Sequence, residues 1–321
     1  RVSAIDRILP PRFPPRMFAR IAIVGSGAIG TYYGTRLALA GGDVRFLLRA
    51  DYEAVRPRGT LRVTLRDGVH ELKPAQVYRT TAEIGPVDLV IVTLKTTANA
   101  ALAELLPPLL GPDTAILTLQ NGLGADEAIA AQFGAERVIG GLAFIAVTRS
   151  GPGEVTCHHP GSLTLAEFGR RPTERTRQLA LQFEAAGVRN RVAANLLAAR
   201  WRKLVWNIPF NGLAIARGGI TTDKLCADPA LAAEVHALMR EVQHAAAAFG
   251  FAIPDEFLKL QFDVTPPMGA YPPSSLVDYL AGREVEVDAI WGEPLRRAQA
   301  AGVAVPRLAA LHAELRRLCA R

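Results

Sequence analysis

Apolar and polar positions alternate between strand and helix spacing over the first part of this chain and keep helix spacing alone over the rest. Ile21–Val24 is a short apolar run, and Ala28–Ala40 follows with helical spacing that Gly41-Gly42 can terminate. Val44–Leu48 reads as the next strand. Leu61–Leu65 reads as one arm of a hairpin turning at Asp67-Gly68. Val87–Leu94 is almost unbroken in its apolar character, as expected for a strand buried on both faces of a parallel sheet. The pattern then predicts a helix over Asn99–Leu110 and a strand over Ala115–Leu119. Two more strands follow over Ala143–Thr148 and Gly153–Phe168, the latter with a turn at Pro160-Gly161, and then a helix over Glu174–Ala186. Beyond residue 193 only helical spacing remains: Leu196–Ile215, Pro229–Phe249, Asp255–Phe262, Leu276–Leu280, Val285–Ala300 and Arg307–Leu318. Asp228-Pro229 is a strong helix start, an N-cap acceptor ahead of a proline in the first turn.

The order of elements predicts a Rossmann-type, doubly wound α/β sheet over residues 17–192, followed by an all-α domain over 193–321. Residues 1–16, with four prolines set among arginines, predict a disordered leader, and Met17 reads as the start of the folded part. No apolar run approaches the roughly 20 residues of a membrane helix, and the leader lacks the apolar stretch of a secretory signal.

The net charge of +7 would suit a nucleic-acid binder, but its distribution argues otherwise. Only five of the 37 basic residues are Lys, and acids interrupt every basic stretch. Cys157, Cys226 and Cys319 are an odd number at wide spacing. That fits neither a disulfide framework nor a metal site, and it suits a reducing cytoplasm.

Chemistry concentrates in four places. Gly25-Ser26-Gly27-Ala28-Ile29-Gly30 is a GxGxxG loop between a strand and a helix. Its first Gly permits the turn, its second lets a pyrophosphate approach, and its third lets the helix pack on the sheet. Arg49 ends the second strand, 24 residues after Gly25. A cation there suits the 2′-phosphate of NADP(H), whereas Asp51 close by would suit a bare ribose, and the reading favours NADP(H). Lys95 and Asn121 each follow an apolar strand and point at the crevice where open α/β sheets bind ligands. Gly122 and Gly124 would allow a ligand close to the backbone. Lys203, Asn207 and Asn211 recur at i, i+4 and i+8 amid Trp, Leu, Val, Ile and Phe, which reads as one wall of a polar cleft. Pro209 interrupts that helix and predicts a kink. Downstream, Ser274, Ser275, Asp278, Glu286 and Asp288 read by spacing alone as a capped helix with solvated acids.

In order and spacing these segments resemble the ketopantoate reductase family. The resemblance rests on IAIVGSGAIG, Arg49, VTLK at 92–95, LQNGLG at 119–124, WRKLVWNIPFN at 201–211, and SSLVDYLAGREVEVD followed by AGVAVP. It implies a Rossmann domain and a helical domain with the active site between them, NADPH as cofactor, and reduction of the ketone of a branched 2-oxo acid. Carried over by position, it implies Lys203 as proton donor, Glu286 as its catalytic partner, and Asn207, Asn211, Ser274 and Asn121 as substrate contacts. Asn121 and Lys95 would also border the cofactor, and the helical second domain implies a homodimer. Two features depart from the family pattern, both on the substrate side. Ser274-Ser275-Leu276-Val277-Asp278 stands where Ser-Met-x-x-Asp is common, and Pro209 lies between the two asparagines. Another 2-oxo acid as substrate and a non-catalytic NADP-binding regulator are the alternative readings.

Overall fold

The computed structural model describes residues 18–320. The predicted leader over 1–16 and the start at Met17 lie outside them. The first part runs β1 (Arg20–Val24), α1 (Ala28–Leu39), β2 (Asp43–Leu47), α2 (Tyr52–Val55), β3 (Leu61–Leu65), β4 (Gly68–Leu72), β5 (Gln76–Tyr78) and α3 (Thr81–Ile84). It continues through β6 (Val87–Val92), α4 (Leu102–Leu105), β7 (Leu110–Thr118), α5 (Ala125–Phe133), β8 (Val138–Gly151), β9 (Glu154–Glu167), α6 (Glu174–Ala185) and β10 (Asn190–Val192).

All ten strands form one sheet in the order β4-β3-β9-β8-β7-β6-β1-β2-β5, with β10 beside β9. From β8 to β5 every pairing is parallel, as the uninterrupted apolar runs predicted. The alternation within β1 shows why. Ile21 and Ile23 join a core against α1 and α6, while Ala22 and Val24 join one against α3, α4 and α5. Antiparallel pairing of β9 with β8 and of β4 with β3 extends the sheet into a mixed one.

Two local expectations need correction. The helix predicted over Asn99–Leu110 is α4 flanked by 3-10 turns at Thr96–Ala101 and Pro107–Leu109. Pro107 and Pro108 have no N–H with which to continue α4. Pro160-Gly161 is not a turn but an irregularity inside β9, which faces shifts of register around Phe144 and Ala146. The hairpin joining β8 and β9 turns instead at Pro152-Gly153.

The second part is helical as expected: α7 (Leu196–Ala216), α8 (Thr222–Ala227), α9 (Pro229–Ala248), α10 (Asp255–Asp263), α11 (Ser274–Leu280), α12 (Glu293–Ala300) and α13 (Pro306–Leu318). Asp228 caps α9 through the N–H groups of Ala230 and Leu231. A single π-helical turn, Asp288–Gly292, leads into α12. The α7 helix runs through the helical core with Trp201, Leu204, Val205, Ile208, Phe210 and Leu213 buried, and it continues as one helix across Pro209. No helix of the described residues is long and apolar enough to cross a membrane.

Candidate active site

Parallel strands bring their carboxyl ends to one edge of the sheet. Because β1 lies between β2 and β6, the chain reverses its winding beside β1, where open sheets take ligands. The glycine loop sits there. Gly25 turns at φ 105°, and a Cβ on it would come within 2.5 Å of the Leu94 nitrogen. A Cβ on Gly30 would come equally close to the Gly25 carbonyl. Gly27, the N-cap of α1, has ordinary backbone angles and open space where its Cβ would stand. No side chain caps α1 and no acid lies in its first turn, so its leading N–H groups are left for an anion. Ser26 ties the loop to the end of β2, donating from Oγ to the Leu47 carbonyl at 2.9 Å.

Arg49 lies two residues beyond Leu47, whose partner on β1 is Val24, and so stands beside the glycine loop. It is exposed and has no ion-pair partner among the described residues. Asp51, the alternative for a ribose, is buried and engaged: Arg149 donates to one carboxylate oxygen and the Gly153 N–H to the other at 3.0 Å. These residues fit a dinucleotide, and of the two candidates after β2 it is Asp51 that the fold engages.

Across the crevice α7 presents the predicted stripe. Lys203, Asn207 and Asn211 are all buried, and they do different things. Lys203 donates from Nζ to Asn121 Oδ1 at 2.7 Å and to the Ala143 carbonyl at 2.8 Å, with the Phe144 ring centroid 5.3 Å away. Burial is the main force pulling its pKa down to about 7. The Arg200 guanidinium adds to the drop, and Glu286 opposes it. The Asn207 amide has no hydrogen-bond partner among the described residues. The oxygen of Asn211 is taken by the fold: Oδ1 accepts from the Ser275 N–H at 2.9 Å and weakly from Ser274 Oγ, acting as a cap for α11 from outside that helix. Ser274 itself is exposed at the start of α11.

The downstream acids divide as well. Asp288 is the solvated acid expected, paired with Arg296 on the surface. Asp278 is not: its Oδ2 lies 2.8 Å from Lys95 Nζ, which also donates to the Glu284 carbonyl at 2.6 Å. Lys95 thus spans from the sheet edge to the helical domain. Glu286 accepts from both the N–H and the Oγ of Thr96, at 2.8 and 2.9 Å, and burial raises its pKa. Gly122 serves a protein contact. At φ 82° it packs on the Ala289 backbone, and Leu123 N–H donates to the Ala289 carbonyl at 2.9 Å.

Sequence reasoning missed Thr96, which holds Glu286, and Gln120, whose amide donates to the Leu94 carbonyl and Asn99 Oδ1. It also missed Arg200 and Asp126, a buried ion pair behind Asn121. Thr96 could have been suspected from its place beside Lys95, and Arg200 from lying one turn before Lys203. The partners of each are more than 20 residues away and carry no local signal.

The chain is similar to known proteins over both of its parts. The family description "Ketopantoate reductase PanE/ApbA" matches residues 21–170, and "Ketopantoate reductase PanE/ApbA C terminal" matches residues 195–318. A 2-dehydropantoate 2-reductase of a Nostoc species is 40% identical over 94% of this chain and 96% of its own. One from Mesorhizobium japonicum is 30% identical over 93% and 97%. Among solved structures, the 2-dehydropantoate 2-reductase of Geobacter metallireducens superposes with a TM-score of 0.90 at 45% identity, covering 93% of this chain and 99% of that one. D-mandelate dehydrogenase shares the fold at a TM-score of 0.84 and 23% identity, covering 93% and 98%. Family matches over residues 21–170 and 195–318, with a relative 40% identical over 94% of the chain, place it in the ketopantoate reductase family of oxidoreductases.

Proposed function

We propose that the protein reduces the ketone of 2-dehydropantoate to pantoate with NADPH, and that Lys203 delivers the proton. The observation that carries this reading is Lys203 itself: a buried ammonium, held on Asn121 at the carboxyl edge of the sheet, with a pKa brought down to about 7. A general acid works best with a pKa near the working pH, and an ordinary lysine is some three units too weak.

The glycine loop would hold the pyrophosphate on the N–H groups at the start of α1, and Arg49 would take the 2′-phosphate. The engagement of Asp51 by Arg149 and Gly153 supports NADP(H) over NAD(H). When bound, the reduced nicotinamide supplies the hydride. As negative charge grows on the ketone oxygen, the Lys203 ammonium stabilises it and then gives it a proton. Asn121 and the Ala143 carbonyl aim the ammonium. Asn207, with its amide unspent, and Ser274, exposed at the head of α11, would bind the substrate, and Glu286 would hold the substrate hydroxyl while Thr96 fixes its carboxylate. Lys95 would serve from the rim, as the arm between the domains.

Absorbance at the nicotinamide band tests this with NADPH or NADH and a panel of 2-oxo acids. Expected is oxidation of NADPH with 2-dehydropantoate, and loss of turnover in Lys203→Ala with the cofactor still bound. A panel in which another 2-oxo acid is preferred would move the substrate assignment. No oxidation with any of them would leave a cofactor-binding regulator.

A further inference from the structure

Arg200 lies on α7 one turn before Lys203, is 2% exposed, and spends its whole guanidinium on the other domain. Nε and one terminal nitrogen donate to the two carboxylate oxygens of Asp126 at 2.8 and 2.7 Å, a bidentate fork. The remaining nitrogen donates to the carbonyl of Gln120, the residue before Asn121. Asp126 stands in the first turn of α5, directly after the loop. One side chain therefore fixes α7 against both ends of the segment that presents Asn121 to Lys203.

We propose that Arg200 is the positioning residue of this site: from one turn before Lys203 it clamps the loop that carries Asn121 and the helix behind that loop. The proposal rests on the reading of Lys203 as proton donor. It has an electrostatic side too. The charged groups acting on Lys203 are Arg200 on its own helix and Glu286 from the segment after α11. The loop before α5 faces it with the Asn121 amide, and β8 with the Ala143 carbonyl and the Phe144 ring. Arg200 supplies the like charge that works with burial against the ammonium, so the residue that sets the distance also favours release of the proton.

Two variants of the full chain separate clamp from field. Arg200→Met with Asp126→Leu removes both charges together, and apolar replacement of a whole buried pair generally preserves folding. Arg200→Lys keeps a cation but loses the fork. Lys203 is one of five lysines, so its titration can be followed by NMR of lysine labelled at the ε-carbon, with Lys203→Met identifying the resonance. Arg200 and not Asp126 is the member of the pair that acts on Lys203, so in the double variant the Lys203 titration is expected to move up. In Arg200→Lys it is expected to stay near that of the parent while kcat falls about tenfold, with the KM for NADPH within about twofold. A Lys203 titration that does not rise in the double variant overturns the electrostatic role. A kcat for Arg200→Lys within about twofold of the parent overturns the clamp. If the titration rises and the pH–rate profile does not follow it, Lys203 is not the proton donor. The function proposed above then falls, while the action of Arg200 on Lys203 stands.

Discussion

Lys203 is held where an ammonium is least comfortable, and the cost is visible as a pH dependence. Its pKa is about 7 in the folded chain and about 10.4 in an unfolded one. Below about 7 both states carry the proton, and the folded state bears the full cost of the buried cation. Between the two values the unfolded chain binds more protons, so stability contributed by this group climbs with pH until the cost has vanished. Lys203→Met is therefore expected to stabilise the protein at pH 6 by ~2–4 kcal/mol, with the gain shrinking by pH 9.5. Urea unfolding at the two pH values checks this, and an equal gain at both would show that the lysine is not depressed. Activity runs the opposite way. Reduction needs the protonated form, so kcat/KM is expected to hold below about 7 and to fall tenfold per unit above it. At the sheet edge, Arg49→Ala is expected to raise the KM for NADPH tenfold or more and to leave that for NADH unchanged. Steady-state kinetics with both cofactors decide it. Much of this was legible in the sequence, because the stripe of Lys203, Asn207 and Asn211 is local and the end of β2 marks Arg49. The split of duties within the stripe was not legible. Asn211 looks like Asn207 until α11 arrives, 63 residues later, and takes its carbonyl for a cap.

Elements were easiest to read where one run of residues decides them, as in the buried parallel strands and the long α7. They were hardest where the deciding partner is remote. Pro160 has no N–H to give the ladder and Gly161 sits at φ 53°, but only the pairing with β8 shows that they make an irregularity inside β9 and not a turn. The glycine loop shows the same division of labour, and its three glycines make a sharp test. Gly27 has backbone angles any residue adopts and open space at its Cβ, so Gly27→Ala is expected to leave the Tm unchanged within about 2 °C. Its methyl group would stand where the pyrophosphate must approach, so affinity for the dinucleotide should fall at least tenfold. Gly25→Ala and Gly30→Ala put the same methyl group within 2.5 Å of backbone atoms, and both should destabilise the fold by about 2 kcal/mol or more. Thermal melts paired with cofactor titration separate the two kinds of loss. A Gly27→Ala protein that binds the dinucleotide normally would remove that glycine from the cofactor site.

At the scale of the molecule, the apolar cores of the sheet and of the helices meet across a seam that is partly polar and partly apolar, with Leu142 and Ala166 of the sheet packed on Leu196 and Ala199 of α7. The sheet has its own cores on its two faces, and the helices gather around α7, with Leu123 reaching in from the sheet side. Charged side chains also join the two parts: Lys95 with Asp278, Thr96 with Glu286, Arg200 with Asp126, and Arg297 with Glu127. The net charge of +7 takes on a different meaning in this setting. Residues 1–16 hold four arginines and one aspartate, which is +3, and the informative cations lie in the crevice or beside it, where an anionic cofactor and an anionic substrate would meet. The Lys95 pair is partly open to water and worth about 1 kcal/mol or less by itself. Its value would come from holding the 94–96 loop against the 278–286 segment, so that Thr96 meets Glu286. Asp278→Asn, which also takes a partner from Arg283, is therefore expected to speed hydrogen exchange in both segments and to raise the KM for the 2-oxo acid severalfold. Exchange measured by mass spectrometry on the free protein reads it directly. Unchanged exchange in both segments would mean that the Lys95 arm contributes nothing to closing the crevice, and that the other contacts between the two parts, the buried Arg200 clamp among them, suffice to hold them in register.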